Sequence, residues 1–242
     1  MVSKNSEIEA RKDRILSIVI GQYIKTTAPV GSQVITDKYR LDLSPATVRN
    51  ILAELEEEGY LTHPHTSAGR VPTAQGYRYY VDHLMREIEL LEEEKHHIEH
   101  ECRQYRHKLE QLIEKTSQAL SDLTHYTAIV SIDGWESKLI LKGTNYVVGY
   151  PQEVDILKIQ AILRILEEKE KLLALINRDL DKRIEIYIGH EIALKEMENC
   201  SLAVSRFEKD GVSGRIAVLG PTRMQYDRVV SALEYISDLL SE

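Results

Sequence analysis

A run of small and hydrogen-bonding residues between Ser44 and Asn50 carries the side chains best suited to reading DNA. Asn50 can bond adenine through two atoms, Arg49 can bond guanine or a phosphate, and Thr47 can contact a thymine methyl group or a phosphate. Ser44 and Ala46 are small enough to let the backbone come close to the groove floor. This combination predicts contact with double-stranded DNA, and the alternative is an ordinary amphipathic helix.

A second group of candidate DNA contacts lies in the turn-rich segment that follows. His65, Thr66, Ser67 and Arg70 offer hydroxyl groups and one guanidinium group on a flexible loop. At the tip of a β-hairpin such groups can bond phosphates or enter the minor groove. An ordinary polar turn is the alternative interpretation.

Other chemistry is poorly supported by the sequence. His96 and His100 have the spacing of two zinc ligands on one helix face, but Cys102 is predicted to point elsewhere, so a solvated face is favoured over a metal site. The motifs of nucleophilic hydrolases, phosphate-binding loops, dinucleotide folds and zinc proteases are missing. We therefore expect a binding protein and not an enzyme, with no cofactor and no metal.

The elements that position the DNA-binding candidates follow one another in the first third of the chain. Helical periodicity predicts helices over residues 7–25 and 32–39. Ser44 as a cap and Pro45 at the first helical position start a third helix, which ends near Gly59. A hairpin and a helix capped by Thr73 complete the order of a winged helix-turn-helix.

The third helix is predicted to bury one face and to present the other. At 100° per residue, its apolar positions fall on a single side. These inward positions are Val48, Ile51, Leu52 and Leu55. The candidate contacts fall opposite or beside this face, and an acidic cluster that begins at Glu54 sits at the far end.

Residues 84–124 are predicted to form one long, charged helix with an apolar seam. The seam repeats at steps of three and four residues, which is a heptad pattern. Its main positions are Ile88, Leu91, Ile98, Tyr105, Leu109 and Leu112. Such a stripe indicates either a dimerisation stalk or a helix that packs on its own C-terminal domain, and the pattern does not decide between them.

The rest of the chain, residues 125–242, is predicted to form an α+β domain with a mainly antiparallel sheet. Strands are predicted at 127–132, 138–141, 183–188, 201–207 and 215–219, with a turn at Asp210 and Gly211. Helices are predicted over 155–176, near 191–197, and over 224–240. The expected division is therefore 1–83 for DNA binding, 84–124 for the connecting helix and 125–242 for the last domain.

Charge is distributed unevenly along the chain. The net charge is −8, yet residues 1–86 carry +1 and the remaining residues carry −9. Only the first part could approach a phosphate backbone without strong repulsion. The two cysteines have no metal-type spacing, no apolar run could span a bilayer, and no secretion signal is evident, so we expect a cytoplasmic protein without a membrane partner.

Several motifs in this order resemble those of the heat-inducible transcription repressor family, HrcA. They are PVGS at 29–32, LSPATVRN at 43–50, LEEEGYL at 55–61, HTSAGRVPT at 65–73, GYRYYVD at 76–82 and GPTRMQY at 220–226. The resemblance implies a homodimeric repressor that binds an inverted-repeat operator ahead of chaperone operons and is released on heat stress. It also implies a GAF-like C-terminal domain, a chaperonin as a candidate modulator, and DNA contacts in the residues named above.

One departure from the family pattern concerns the C-terminal half. Typical members carry an inserted domain there, whereas residues 132–150 leave no room for one. We expect the 84–124 helix to compensate in dimerisation. Two rival interpretations stay open: a regulator that senses a small molecule through its GAF-like domain, and a chaperonin client or scaffold that does not bind DNA.

Overall fold

The structure, a computed structural model, describes residues 4–39, 41, 43–64, 69–86, 88–103, 108–133, 138–150, 155–178 and 180–242. The chain divides into two compact units, Met1–Arg86 and Glu87–Glu242. This division differs from the expected one because the helical segment after residue 87 belongs to the second unit and does not form a separate stalk.

The first unit has the element order that the sequence predicts. Its helices are α1 (Lys4–Thr26), α2 (Ser32–Tyr39), α3 (Pro45–Glu57) and α4 (Ala74–Tyr79), and a π-helical turn at Tyr80–Leu84 extends α4. Strands β1 (Leu61–Thr62) and β2 (Val71–Pro72) form an antiparallel hairpin between α3 and α4. Together they make a helix-turn-helix followed by a wing, as predicted.

Two local features fix the hairpin against the helices. Val30, in the connection between α1 and α2, forms an isolated antiparallel bridge with Arg70. Thr73 caps α4 through a 3.0 Å hydrogen bond from the backbone N–H of Gly76, and its hydroxyl also donates to the Gly59 carbonyl at 2.6 Å. The wing is therefore hydrogen-bonded at its base to segments that precede α2 and follow α3.

The second unit alternates helices with strands of one sheet. Its helices are α5 (Glu92–Cys102), α6 (Leu109–Thr124), α7 (Ile156–Glu167), α8 (Lys169–Ile176) and α9 (Tyr226–Ser241). Its strands are β3 (Thr127–Ile132), β4 (Lys138–Lys142), β5 (Ile184–Ile188), β6 (Cys200–Lys209) and β7 (Val212–Pro221). Short 3₁₀ turns occupy Thr144–Gly149, Gly189–Ile192 and Lys195–Met197.

The five strands form an antiparallel sheet in the order β4-β3-β7-β6-β5. The predicted turn at Asp210 and Gly211 joins β6 to β7, and both residues have a positive φ, as a type I′ hairpin turn requires. Helices cover both faces: α7 and α8 lie over one and α6 and α9 over the other. The α+β class with a mainly antiparallel sheet is thus confirmed.

The prediction of one continuous helix over residues 84–124 is wrong at the start of that range. Met85 is extended, and α5 begins only at Glu92, where the Glu94 carboxylate accepts from the backbone N–H of Leu91 at 3.0 Å. The intervening chain packs on α9, because Leu90 is buried and the Ser231 hydroxyl donates to the Ile88 carbonyl. The helix α5 then packs against α6 within the same unit.

Two further helix predictions need correction. The single helix predicted over 155–176 is interrupted at Glu168, whose backbone is not helical, so α7 and α8 are separate. Residues 189–197 form two 3₁₀ turns in place of one short helix, and Ala193 between them has a positive φ. Neither break, at Glu168 or at Ala193, coincides with a glycine or proline.

Candidate nucleic-acid interface

The helix α3 buries the face that its periodicity predicts. Its buried residues are Val48, Ile51, Leu52 and Leu55. Leu41 and Leu43, in the turn before it, are half-buried. The apolar side chains therefore hold α3 against the rest of the unit, and its other face remains free for a partner.

The start of α3 is fixed by its cap. The hydroxyl of Ser44 accepts from the backbone N–H of Thr47 at 3.1 Å, and Pro45 occupies the first helical turn. A side-chain acceptor at this position satisfies one of the N–H groups that have no partner inside the helix. The end of α3 that carries the predicted contacts is thus well defined.

The predicted contacts on α3 lie together on its exposed side. They are Ser44, Ala46, Thr47, Arg49 and Asn50, all of them exposed. The side chains of Arg49 and Asn50 form no hydrogen bond or ion pair with another described residue, which leaves their polar groups available. His65, Thr66 and Ser67 of the wing lie outside the described residues.

Arg70 has a different environment from the one predicted for a phosphate contact. Its Nη2 lies 2.7 Å from a carboxylate oxygen of Glu56, and its side chain is 23% exposed. The Glu56 carboxylate also bonds the ring of His63, at the end of β1. Sequence reasoning missed both Glu56 and His63 as functional candidates, because only the fold brings α3, β1 and β2 together.

The acidic cluster of α3 is largely paired with cations. Glu54 and Glu58 both contact the ammonium group of Lys12 on α1, at 3.1 Å and 2.6 Å. The hydrogen bond to Glu58, and then that to Glu54, raises the pKa of Lys12 above its ordinary value. Glu56 has its own basic partners, Arg70 and His63, so three of the four acids of the cluster lie within contact distance of a basic side chain.

Two arginines missed by the sequence analysis lie beside the turn that leads into α3. Arg11 and Arg14 of α1 line a cavity of about 280 Å³ together with Ile15, Leu41 and Leu43. Both arginines are exposed. They are one helical turn apart on the same face, so they concentrate positive charge close to the start of α3.

The predicted dimerisation seam separates into exposed and buried positions. Ile98 and Leu112 are buried by their own unit, and Leu109 is half-buried, so these positions pack within the protomer. Ile88 and Leu91 are 42% and 65% exposed. Tyr105 lies outside the described residues.

Among the described residues, no cluster of metal-ligating side chains is found, and the cavity beside the second unit's sheet is polar. His96, His97 and His100 are exposed, and no group of three or more metal-ligating side chains is found in that part of the chain. The cavity at one end of the second unit's sheet, of about 490 Å³, is lined mostly by charged and hydroxyl groups, among them Arg206, Arg215 and Asp133. Small-molecule sites are usually more apolar.

Comparison with known proteins gives consistent results. Residues 131–230 match the family model described as HrcA protein C terminal domain. A heat-inducible transcription repressor HrcA of Carboxydothermus hydrogenoformans is 31% identical, with 97% of this chain and 98% of the relative covered. That of Symbiobacterium thermophilum is 29% identical, with 97% and 98% covered.

The alignment with the first of these relatives also shows a difference in length. It runs over 334 positions, whereas the chain has 242 residues, so at least 92 positions of the alignment have no counterpart here. A crystal structure of a hypothetical protein matches with a TM-score of 0.74 at 18% identity, covering 96% of this chain and 97% of that one. This last similarity concerns the fold alone.

Within the described residues, no helix is both long and apolar enough to cross a membrane.

Proposed function

The chain belongs to the HrcA family of heat-inducible transcription repressors, and we propose the following mode of repression. Two copies bind an inverted-repeat operator ahead of chaperone operons in the cytoplasm, each with α3 in a major groove. Heat stress releases the repressor, and a chaperonin modulates its active form. No catalytic step is involved.

The exposed end of α3 is the observation that carries this proposal. Its apolar face is buried, while Ser44, Ala46, Thr47, Arg49 and Asn50 are exposed together beside a wing. A recognition helix reads base edges through residues near its N-terminus, and small side chains there let the backbone approach. Asn50 and Arg49 supply the groups that distinguish bases.

Electrostatics support contact through the first unit alone. Residues 1–86 carry +1 and the rest of the chain −9. The pairing of Lys12 with Glu54 and Glu58 reduces repulsion of the phosphates, and Arg11 and Arg14 add cations near the start of α3. The proposed phosphate contacts therefore lie on α1 and on α3 itself.

The dimer contact is proposed to use the exposed part of the seam. Ile88 and Leu91 offer apolar surface at the start of the second unit, whereas Ile98 and Leu112 are already covered within the protomer. The shorter chain lacks at least 92 aligned positions of a family relative, so its dimer geometry has to arise from the segments that remain. Symmetric half-sites in the operator would mirror the twofold symmetry of such a dimer.

Selection of bound duplexes from a random pool tests the proposal directly. The purified chain should enrich an inverted repeat, with half-sites separated by a whole number of helical turns. Binding of the enriched duplex should be lost on heating, and addition of a purified chaperonin should change the active fraction. A chain that enriches no sequence, and that ignores duplex DNA at low salt, would contradict the proposal.

A further inference from the structure

The carboxylate of Glu56 lies where the recognition helix meets both strands of the wing. It accepts from Arg70 at 2.7 Å through one oxygen and bonds the His63 ring through the other. His63 follows β1 and Arg70 precedes β2, so the two partners flank the wing. Glu56 and Arg70 are 25% and 23% exposed, which makes this pair more sheltered than a typical surface ion pair.

The backbone of Arg70 is held as firmly as its side chain. Its N–H donates to the Val30 carbonyl, and its carbonyl accepts from the Val30 N–H, both at 2.9 Å. At the neighbouring Gly69, an added Cβ would lie only 2.5 Å from the Val30 carbonyl carbon, so only glycine fits this approach. The returning arm of the wing is therefore anchored by its backbone on one side and by Glu56 on the other.

The pairing with Glu56 leaves Arg70 poorly placed to bind a phosphate. One of its terminal nitrogens is engaged by Glu56, and its Nε atom is buried. A phosphate contact requires a guanidinium group that can present donors to the duplex. While the pair with Glu56 is intact, only the donors that Glu56 does not engage could reach a phosphate.

We propose that Glu56 is a positioning residue of the DNA interface. It holds Arg70 and His63 so that the hairpin β1–β2 keeps a fixed orientation against α3, and Arg70 acts through this pair and not as a phosphate ligand. The inference rests on the proposed DNA binding by α3. It replaces the sequence-based expectation that Arg70 contacts the duplex.

We expect removal of the Glu56 charge to change DNA affinity in the direction opposite to that expected from charge alone. Removal of a negative charge from a DNA-binding face should strengthen binding, because phosphates are repelled less. If Glu56 orients the wing, its removal should weaken binding despite the gain in charge. Glu56→Gln is nearly isosteric, so it removes the charge with little change in shape.

The matched control is Glu57→Gln on the same helix. Glu57 is exposed and has no ion pair to a described residue, so its loss changes the net charge equally. With a duplex chosen by selection on the wild-type chain, Glu56→Gln should weaken binding about threefold to tenfold, while Glu57→Gln leaves it equal or tighter. Equal or tighter binding by both variants would overturn the inference.

Salt dependence gives a second, independent readout through Arg70→Gln. The slope of log affinity against log salt falls by about 0.9 for each phosphate that the protein no longer neutralises. A positioning role predicts weaker binding with an unchanged slope, and a reduced slope would identify Arg70 as a phosphate ligand and overturn the inference. The double variant Glu56→Gln, Arg70→Gln should bind the duplex with an affinity no lower than that of the more weakly binding single variant. Both substitutions break the same Glu56–Arg70 pair, so their effects should not add.

The controls separate failure of this inference from failure of the proposed function. If the wild-type chain selects no duplex, DNA binding itself is refuted. If the wild type binds and Glu56→Gln binds as well, only the positioning role is refuted. Thermal unfolding of each variant identifies loss of fold, and if Glu56→Gln unfolds, the salt slope of Arg70→Gln decides alone.

Discussion

The hydroxyl of Ser44 accepts from the backbone N–H of Thr47 at 3.1 Å and lies 3.0 Å from the Thr47 hydroxyl. This short network closes the first turn of α3 while both residues remain exposed. One serine thus completes the helix start and also faces the proposed DNA partner. The two roles can be separated by substitution.

Ser44→Ala should lower the free energy of unfolding by about 0.5–2 kcal/mol, because it removes the cap. Ser44→Asp should retain most of the stability, since aspartate caps helices as well as serine does. It should nevertheless bind the selected duplex more weakly, because its carboxylate repels phosphates. Denaturant unfolding and fluorescence anisotropy measure the two effects, and tight binding by Ser44→Asp would place this end of α3 away from DNA.

Asn50→Ala should relax the choice of one base pair and not weaken all sequences alike. A bidentate contact from asparagine to adenine accounts for about 1–3 kcal/mol of discrimination, so the variant should lose that difference between matched and mismatched duplexes. Repeated selection from a random pool would report this as one degenerate position in each half-site. Gln118→Ala, which removes an exposed amide on α6, serves as the control and should leave the selected sequence unchanged.

The first unit could be predicted closely from the sequence because its signals are local. Ser44 and Pro45 specify a helix start, which predicts the cap of α3. The apolar positions of α3 recur at the helical period, which predicts its buried face. The partners of Glu56 could not be predicted in this way. They come from the residue after β1 and from the residue before β2, and periodicity carries no information about such pairings.

The second unit shows the limits of periodicity more clearly. The heptad steps continue through Leu91, Lys95 and Ile98, although Met85 is already extended and the helix starts only at Glu92. An apolar stripe indicates which face of a helix is buried but not which segment covers that face. Here Ile98 is covered by residues of its own unit. Glu168 interrupts a sequence of strong helix formers, so the break depends on tertiary packing.

Arg11 and Arg14 offer a test of the electrostatic part of the proposed function. Each arginine that contacts a phosphate should reduce the slope of log affinity against log salt by about 0.9 in each bound protomer when it is replaced by alanine. The base preference obtained by selection should not change, because phosphates carry no sequence information. Lys25→Ala, which removes an exposed cation at the other end of α1, is the matched control and should leave the slope intact. Slopes unaffected by Arg11→Ala and Arg14→Ala would remove α1 from the interface.

Leu112 and Leu91 distinguish the core from the proposed dimer contact. Leu112 is fully buried within its own unit, so Leu112→Ala should lower the free energy of unfolding by about 2–5 kcal/mol and leave the molar mass in light scattering unchanged.

Leu91 is 65% exposed, so Leu91→Asp should have a small effect on the fold of each protomer and should shift the chain from dimer to monomer. Both measurements need equal protein concentrations, because dimerisation itself stabilises the folded state. If Leu112→Ala halves the molar mass without loss of stability, the seam lies between protomers after all. If Leu91→Asp stays dimeric, the dimer interface lies elsewhere on the second unit, and the start of α5 has no part in spacing the two recognition helices.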